Sequence, residues 1–584
     1  MKHSSKLASA AATATVAAAS LILSGCKLTE PAPFNPRGLQ ETNRAGASAT
    51  PAPAKRPLPT TLESPFKEVN GRPTTKPGID DNTGTPLGAE PTVRLGLQEI
   101  IQRVVANNGD VRVAGYTPAI DQTRVIEAEA RFDPTFFSNF TLDRRASTEV
   151  FNTAGAGATT YALDGGLRQN LQSGGQAEVR YRTTLVDESN TGFASNGNPR
   201  YVNELTVQIQ QPLLRDFGNE INRARISINR NNQKISLLDF RRQLEESIAE
   251  TEQRYWELVQ AEREVRITER LLQRSIDTAD IIIRRGGDDV TRAQISQANS
   301  SIESRRTELI ASRTRVRDLS DQLKRLMQDP SIATSSPTAV LPAVPPIDAP
   351  VTFEFDEVAS QALENRLELG QQQFRVNNAD IAAKVAKNNL LPQLNLNLQG
   401  TLAGSDTQWI NAAGDQFSKV SGEFDDQANI GFQVALQFEI PIGNRAARAI
   451  YQRAMLQRMQ AIEQYRSTIE QIMLDVRTAW RQVNSTWNQI GASRQARFAA
   501  ADALAAVEMR QQQGEALTPN FVQLILDRQE VLAQTERQEA AAISNYNIAI
   551  SRLELSKGTL LRYNNVLIEE ESTPFVKTFG MYGR

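Results

Sequence analysis

Two periods alternate along this chain, and each changes into the other at a Pro or Gly. In residues 429–440 Phe432, Val434, Leu436, Phe438 and Ile440 alternate with Gln433, Ala435, Gln437 and Glu439. A period of two with one apolar and one polar side predicts a strand. Pro441 and Gly443 then punctuate the chain and a helical period begins. Met455, Met459, Ile462, Ile469, Met473, Val476, Trp480, Val483, Trp487 and Ile490 follow steps of three and four, with Arg466 the exception. The spacing predicts one heptad seam on a helix over about 444–513, a rod on the order of 100 Å. Ordinary globular helices average about 11–12 residues, so a two-faced strand feeding such a rod calls for a sheet joined to a tube or bundle.

The same order occurs earlier. Leu205, Val207 and Ile209 alternate with Thr206, Gln208 and Gln210 in a strand over about 201–211, closed by Pro212 and followed by Gly218. A helix over about 218–285 carries Leu237, Leu244, Leu258, Val265, Leu272 and Ala279 on one heptad position, with Thr251 the exception. Ile248, Tyr255, Ile276 and Ile283 share the other with Arg241, Glu262 and Glu269. A Gly turn at 284–287 leads to a returning helix over 289–327. In the second copy Gly514 leads to one over 519–557. Each copy begins with two shorter helices, a Pro and a first strand: 93–107, a helix through Arg131, and about 132–143; then 353–365, 371–389 and about 393–400. Pro134 pairs with Pro392, Pro212 with Pro441, Gly218 with Gly443, and Gly287 with Gly514. One architectural unit is duplicated, over 92–330 and 352–560, with a Pro-rich linker at 331–351 and a tail at 561–584. The first copy holds an additional hairpin at about 161–186, turning at Ser173-Gly174-Gly175.

Composition narrows the function. Among 584 residues there is one His and one Cys, which excludes a Cys/His metal cluster, a disulfide framework and His-dependent catalysis. Carboxylate-only catalysis would need a clustered polar site, and the sequence offers none. The net charge of −2 without a basic block argues against nucleic acid. Lys2 and Lys6 precede an Ala-rich apolar segment ending Leu23-Ser24-Gly25-Cys26. That segment is short for a membrane span and reads as a signal peptide over 1–25. Its end resembles a bacterial lipobox, with Cys26 the lipidated residue; an ordinary signal with an incidental Cys is the alternative. A lipidated Cys26 would carry enough hydrocarbon for stable anchoring. Lys27 after it resembles outer-membrane sorting. Residues 26–91, rich in Pro, Thr, Ala and Gly, read as a flexible tether.

Strands of about 9–11 residues suit a tilted transmembrane β-strand, although a soluble amphipathic sheet has the same pattern strand by strand. Four strands cannot close a barrel, and an open edge in lipid is prohibitive. The helices are too polar for lipid and must project into water. With the LLPQLNLNL strand entry, the IPIGNRAAR and QPLLRDFGNEINRAR passages and the Gly turn before FVQLILDRQE, the chain after the tether resembles the TolC-type outer-membrane efflux proteins. The lipobox fits their lipoprotein branch.

That resemblance implies an α+β membrane protein in which each chain gives four strands to a homotrimeric, twelve-stranded barrel continued by an antiparallel helical barrel in the periplasm. The hairpin at 161–186 departs from it, as further barrel strands or as an extracellular extension. The implied function is a passive exit duct of a tripartite efflux or type I secretion system, without enzymatic activity or cofactor, working with a periplasmic adaptor and an inner-membrane transporter. A coiled-coil envelope lipoprotein without a channel is the competing class, and the duplicated two-faced strands weigh against it. The tips that would meet the adaptor are Arg285, Gly286, Gly287, Asp288 and Asp289, and Gln513, Gly514 and Glu515. Asp288 and Asp289 also suit a helix start on electrostatic grounds alone. The entrance constriction falls on Asn520 if aligned from Gly514, or on Asp527 if aligned on LILDRQ; a solvated carboxylate is the plain alternative for Asp527. Pro212, Gly218, Pro441 and Gly443 are the strand-to-helix elbows. Trp480 and Trp487 read as packing residues.

Overall fold

The computed structural model describes residues 91–145, 157–189, 200–284, 291–406 and 429–566. The signal segment, Cys26, the tether, tip residues Arg285, Gly286, Gly287, Asp288 and Asp289, and the tail beyond 566 lie outside the described residues.

The chain opens with β1 (Thr92–Leu95), α1 (Leu97–Asn107) and α2 (Gly109–Glu129), followed by β2 (Thr135–Arg145), β3 (Gly157–Asn170), β4 (Gln176–Ser189) and β5 (Arg200–Pro212). A four-residue helix, α3 (Asn219–Asn222), precedes the long α4 (Ala224–Arg284) and the returning α5 (Arg292–Met327). The second half runs β6 (Ala339–Pro342), α6 (Phe355–Asn365), α7 (Leu367–Asn388), β7 (Gln393–Asp406) and β8 (Asn429–Glu439). It ends with α8 (Arg445–Gln512), α9 (Pro519–Lys557) and α10 (Leu560–Tyr563).

One antiparallel sheet has the order β2-β3-β4-β5-β7-β8. It therefore has six strands and not four, because the hairpin β3–β4 pairs along its length with β2 and β5. Its membership is hard to read in sequence because Gly165 and Gly166 interrupt the alternation of β3. Gly166 sits where a Cβ would lie 2.2 Å from the Val179 carbonyl oxygen and 3.0 Å from Phe137, so only glycine fits this crossing.

Two further corrections concern the region around the linker. The sequence reads 93–107 as one helix, yet Thr92–Leu95 is a strand and Gly96 caps α1. The Pro-rich linker contains a buried strand, Ala339–Pro342, which pairs in parallel with β1. Beyond it the chain crosses between the repeats as a strap held by side chains. The Tyr255 hydroxyl accepts from Val344 N at 3.0 Å. Asn547 exchanges two bonds with Ile347 at 2.9 and 3.0 Å, and the Trp480 indole N–H donates to the Phe353 carbonyl at 2.9 Å.

The long helices are amphipathic in a more complex way than a single seam. In α8 Val476, Val483 and Ile490 are buried, but Met459 is exposed while Ala454 and Ala461 are buried. Near the sheet α8 packs on α7 through Ala454, with Tyr451 and Met455 beside it; farther along it packs on α9 through Ile472, Val476, Val483 and Ile490. The buried stripe shifts because the partner changes. Helix α4 packs on α2, α5, α7 and α9, and is buried round much of its circumference. Trp480 lies edge-on to Phe355 and Trp487 against Tyr546, both as packing residues. Among the described residues no helix is long and apolar enough to cross a membrane.

Candidate conduit surfaces and tip

The sheet separates its two faces across all six strands. The register puts Phe136 opposite Leu167, Phe140 opposite Leu163 and Leu142 opposite Tyr161. The same face continues through Val179, Tyr181 and Leu185, then Leu205, Val207 and Ile209. It runs on through Leu394, Leu396, Leu398 and Leu402 to Ile430, Phe432, Val434, Leu436 and Phe438. Phe136, Phe140 and Phe432 are 59, 63 and 86% exposed. An exposed apolar area continuous over six strands is far more than a monomeric soluble protein usually leaves in water.

The opposite face is polar and more enclosed. Asp164, Thr206 and Asn395 are buried there. Arg182 pairs with Asp164 at 3.7 Å and Arg168 with Glu178 at 2.8 Å, while the Asn139 amide donates to Asp164 at 3.0 Å. Buried polar side chains opposite exposed apolar ones invert the usual arrangement. The chemistry suits a sheet wrapped round water with hydrocarbon outside it.

At one end of the sheet each repeat passes into its long helix through backbone that only a few residues accept. Gly443 has φ +85° and Asn444 φ +43°; Asp216 and Gly218 have φ +65° and +103°. The Asn444 amide donates to the Leu390 carbonyl at 3.1 Å, and Asp216 N donates to Asn388 Oδ1 at 2.7 Å. Pro212 ends β5 and is buried, while Pro441 follows β8 and is exposed. The elbows differ in that α3 and Arg223 interrupt the first, whereas α8 starts directly from the second. Gly443→Ala should cost about 1 kcal/mol from the left-handed backbone alone, as its Cβ would meet no atom within 4 Å. Urea unfolding of the detergent-solubilised protein would measure it.

The hairpin turn is built into the first elbow. Gly218 N donates to the Ser173 carbonyl at 3.0 Å, and the Ser173 hydroxyl donates to Gln211 at 2.8 Å. Gly174 has φ +96°, and a Cβ there would lie 2.2 Å from the Asp216 carbonyl oxygen. Gly174→Ala should therefore cost about 2 kcal/mol or more, through strain plus collision. The same unfolding measurement should separate it from Gly443→Ala.

At the far end of the helices, Gly514 has φ +87° and leads into Thr518, which caps α9 ahead of Pro519. Arg510 spans this turn to Glu515 through two bonds of 2.7 and 2.5 Å and stacks over Phe521. The Glu515 partner holds the Arg510 guanidinium above its usual pKa. Gln513 and Gly514 are exposed and Glu515 half-buried. Asn520 and Asp527 are both exposed on α9, seven residues apart and so on one helix face. The two alignments thus mark one stripe. Asp527 accepts from the Gln523 amide at 2.7 Å.

Arg305 is the residue near this tip that sequence reasoning misses. It is 7% exposed and donates to Ser275 Oγ, to Gln529 at 3.3 Å and to the Leu526 carbonyl at 3.2 Å, which ties α4, α5 and α9 together. Burial lowers its pKa, against the pull of Glu530. Ala298, Arg305 and Ser312 share a heptad position, so its burial follows the seam, but an Arg in an Arg-rich helix looks solvated.

Glu245 on α4 is buried, and burial followed by repulsion from Glu368 raises it from the ordinary 4.5 to about 7, against Arg366 and Arg241. Glu246 repels it from its own helix. An acid raised on folding holds its proton longer in the native state. Its contribution is fully present below pH 4.5 and is lost as pH rises through 7, a change of order 3 kcal/mol. Glu245→Gln should flatten that dependence and raise stability at pH 8, measured by denaturant unfolding from pH 4 to 8.

No curated protein sequence matches the chain. Its fold matches the outer membrane protein VceC from Vibrio cholerae at TM-score 0.56 and 15% identity, over 79% of this chain and 96% of that one. The open state of the Neisseria gonorrhoeae MtrE outer membrane channel matches at 0.55 and 16%, over 82 and 94%. The Campylobacter jejuni CmeC outer membrane channel matches at 0.55 and 14%, over 87 and 96%. Residues 358–559 match the family model of the outer membrane efflux protein. The second repeat is therefore similar to the outer membrane efflux protein family, and the chain shares the fold of these outer membrane proteins.

Proposed function

We propose that this chain is the outer-membrane exit duct of a tripartite efflux or type I secretion system, a passive conduit for small molecules or proteins. The observation that carries the reading is the sheet, with apolar side chains exposed in register over six strands and ion-paired polar ones enclosed on the other side. Among the described residues its outer strands, β2 and β8, are unpaired edges within one chain. Edges in hydrocarbon must be closed, so several copies share one barrel, and the TolC-type fold favours three. The helices then line the path through the periplasm.

Gln513, Gly514 and Glu515, with Arg285, Gly286, Gly287, Asp288 and Asp289, are the surface for a periplasmic adaptor that couples the duct to an inner-membrane transporter. Asn520 and Asp527 line the entrance. Pro212, Gly218, Pro441 and Gly443 mark the passage from membrane to periplasm. Cys26 carries the lipid anchor in the outer membrane. A spacer lipoprotein would have no use for an exposed apolar sheet. The test is conductance of the purified oligomer in planar bilayers, paired with the drug susceptibility and export phenotypes of a deletion strain. Discrete channel openings with an export defect support the duct. A folded oligomer without conductance would overturn it.

A further inference from the structure

We infer that the hairpin β3–β4 forms two strands of the barrel wall itself, so that each copy contributes six strands and the pore is wider than a four-strand repeat would build. This rests on the reading of the sheet as a shared barrel.

Three independent features place the hairpin inside the wall. First, it is not appended to an edge. It lies between β2 and β5, and every residue from Thr135 to Arg145 pairs with a residue of β3. Removing it from the ring would leave β2 and β5 without each other. Second, its alternation is in phase with its neighbours. Tyr161, Leu163 and Leu167 with Val179, Tyr181 and Leu185 extend the apolar face, while Asp164 and Arg182 fall on the ion-paired face. An extension standing in water outside the membrane needs no such apolar face. Third, its turn lies at the helix end of the sheet. The Ser173 carbonyl accepts from Gly218, and the Gln169 and Asn170 amides donate to the carbonyls of Phe132 and Arg131 at 3.1 and 3.0 Å. With its turn at the elbow and 14 residues in each strand, the hairpin traverses the full depth that a tilted strand of about 9–11 residues needs.

The strand directions also permit closure. Six antiparallel strands leave β2 running away from the elbow and β8 running toward it, both 11 residues long. Edge β8 of one copy can therefore pair antiparallel with β2 of the next, keeping the apolar face outward. Three copies of six strands make eighteen in all. Barrel diameter grows roughly linearly with strand number, so this ring is about half as wide again as one of twelve and has roughly twice the cross-section. Cargo bulkier than a four-strand repeat would pass could then leave through the membrane section.

The test uses the full chain in nanodiscs. Fluorophores are attached at Tyr181→Cys and Arg182→Cys in separate proteins, and quenching is read from nitroxide lipids and from an aqueous quencher. Lipid quenching at position 181 with aqueous quenching at 182 supports strands in the wall. Equal aqueous access at both positions would overturn it and put the hairpin outside the bilayer. Native mass spectrometry counts the copies separately, so an oligomer other than a trimer would change the strand total and the shared-barrel reading without altering the 181/182 contrast. Deleting 157–189 should lower single-channel conductance about twofold; unchanged conductance from that variant would count against the inference.

Discussion

Val434→Arg in β8 should prevent recovery of the oligomer from the outer membrane, while Gln433→Arg beside it should assemble and shift ion selectivity toward anions. Val434 is 60% exposed on the apolar face and mid-way along its strand. Gln433 points to the other side, opposite Gln399. A guanidinium on the lipid face near the bilayer midplane costs about 2–4 kcal/mol per copy, and in a shared barrel every copy carries it. Across three copies that approaches about 6–12 kcal/mol, as large as the whole stability of many domains. The same charge on the water-filled side keeps its hydration and adds a ring of positive potential. Outer-membrane fractionation, gel migration of the unheated oligomer and reversal potentials in a salt gradient read the three outcomes. If both substitutions assembled equally well, or failed equally, the assignment of faces would be wrong.

This contrast between adjacent positions is legible in the sequence because a strand's period is short and strict. Phe432 to Ile440 needs no partner to declare its two faces, and the Pro and Gly elbows declare its end. The 68-residue helix α8 was similarly open to reading, since nothing in it breaks helical spacing. What the sequence concealed depends on partners. Strands β1 and β6 are four residues each and the second is buried at every position, so no alternation distinguishes AVLP from a Pro-rich connector. Met459 fits a heptad line but is exposed, because α8 exchanges α7 for α9 along its length and a single seam presupposes one neighbour. Arg305 hides for the opposite reason: only the convergence of Ser275, Gln529 and the Leu526 carbonyl makes a buried cation acceptable there. At the tip, Asn520 and Asp527 are ambiguous in alignment yet share one helix face, which a one-dimensional comparison cannot express.

The second large effect lies at the strap between the repeats, where Tyr546→Ala should destabilise the helical part by about 4 kcal/mol or more and Tyr546→Phe by about 1–3 kcal/mol. Tyr546 is fully buried on α9, tilted against Trp487 at 5.2 Å. Its hydroxyl donates to the Ala349 carbonyl at 3.1 Å and accepts from Val351 N at 3.0 Å. Loss of the ring opens a cavity among Trp487, Val483 and Ile550, whereas loss of the hydroxyl alone strands two backbone groups of the strap. Those backbone groups belong to the chain that leads from β6 into α6, so the phenylalanine variant should loosen the crossing before it loosens the core. Hydrogen exchange of 343–353 should rise in both variants, while global unfolding should move far more in the alanine variant. Equal global losses from the two substitutions would mean that the hydrogen bonds, and not the packed ring, hold the strap and α9 together. An unchanged strap in the phenylalanine variant would mean that Asn547 and Trp480 fix it without Tyr546.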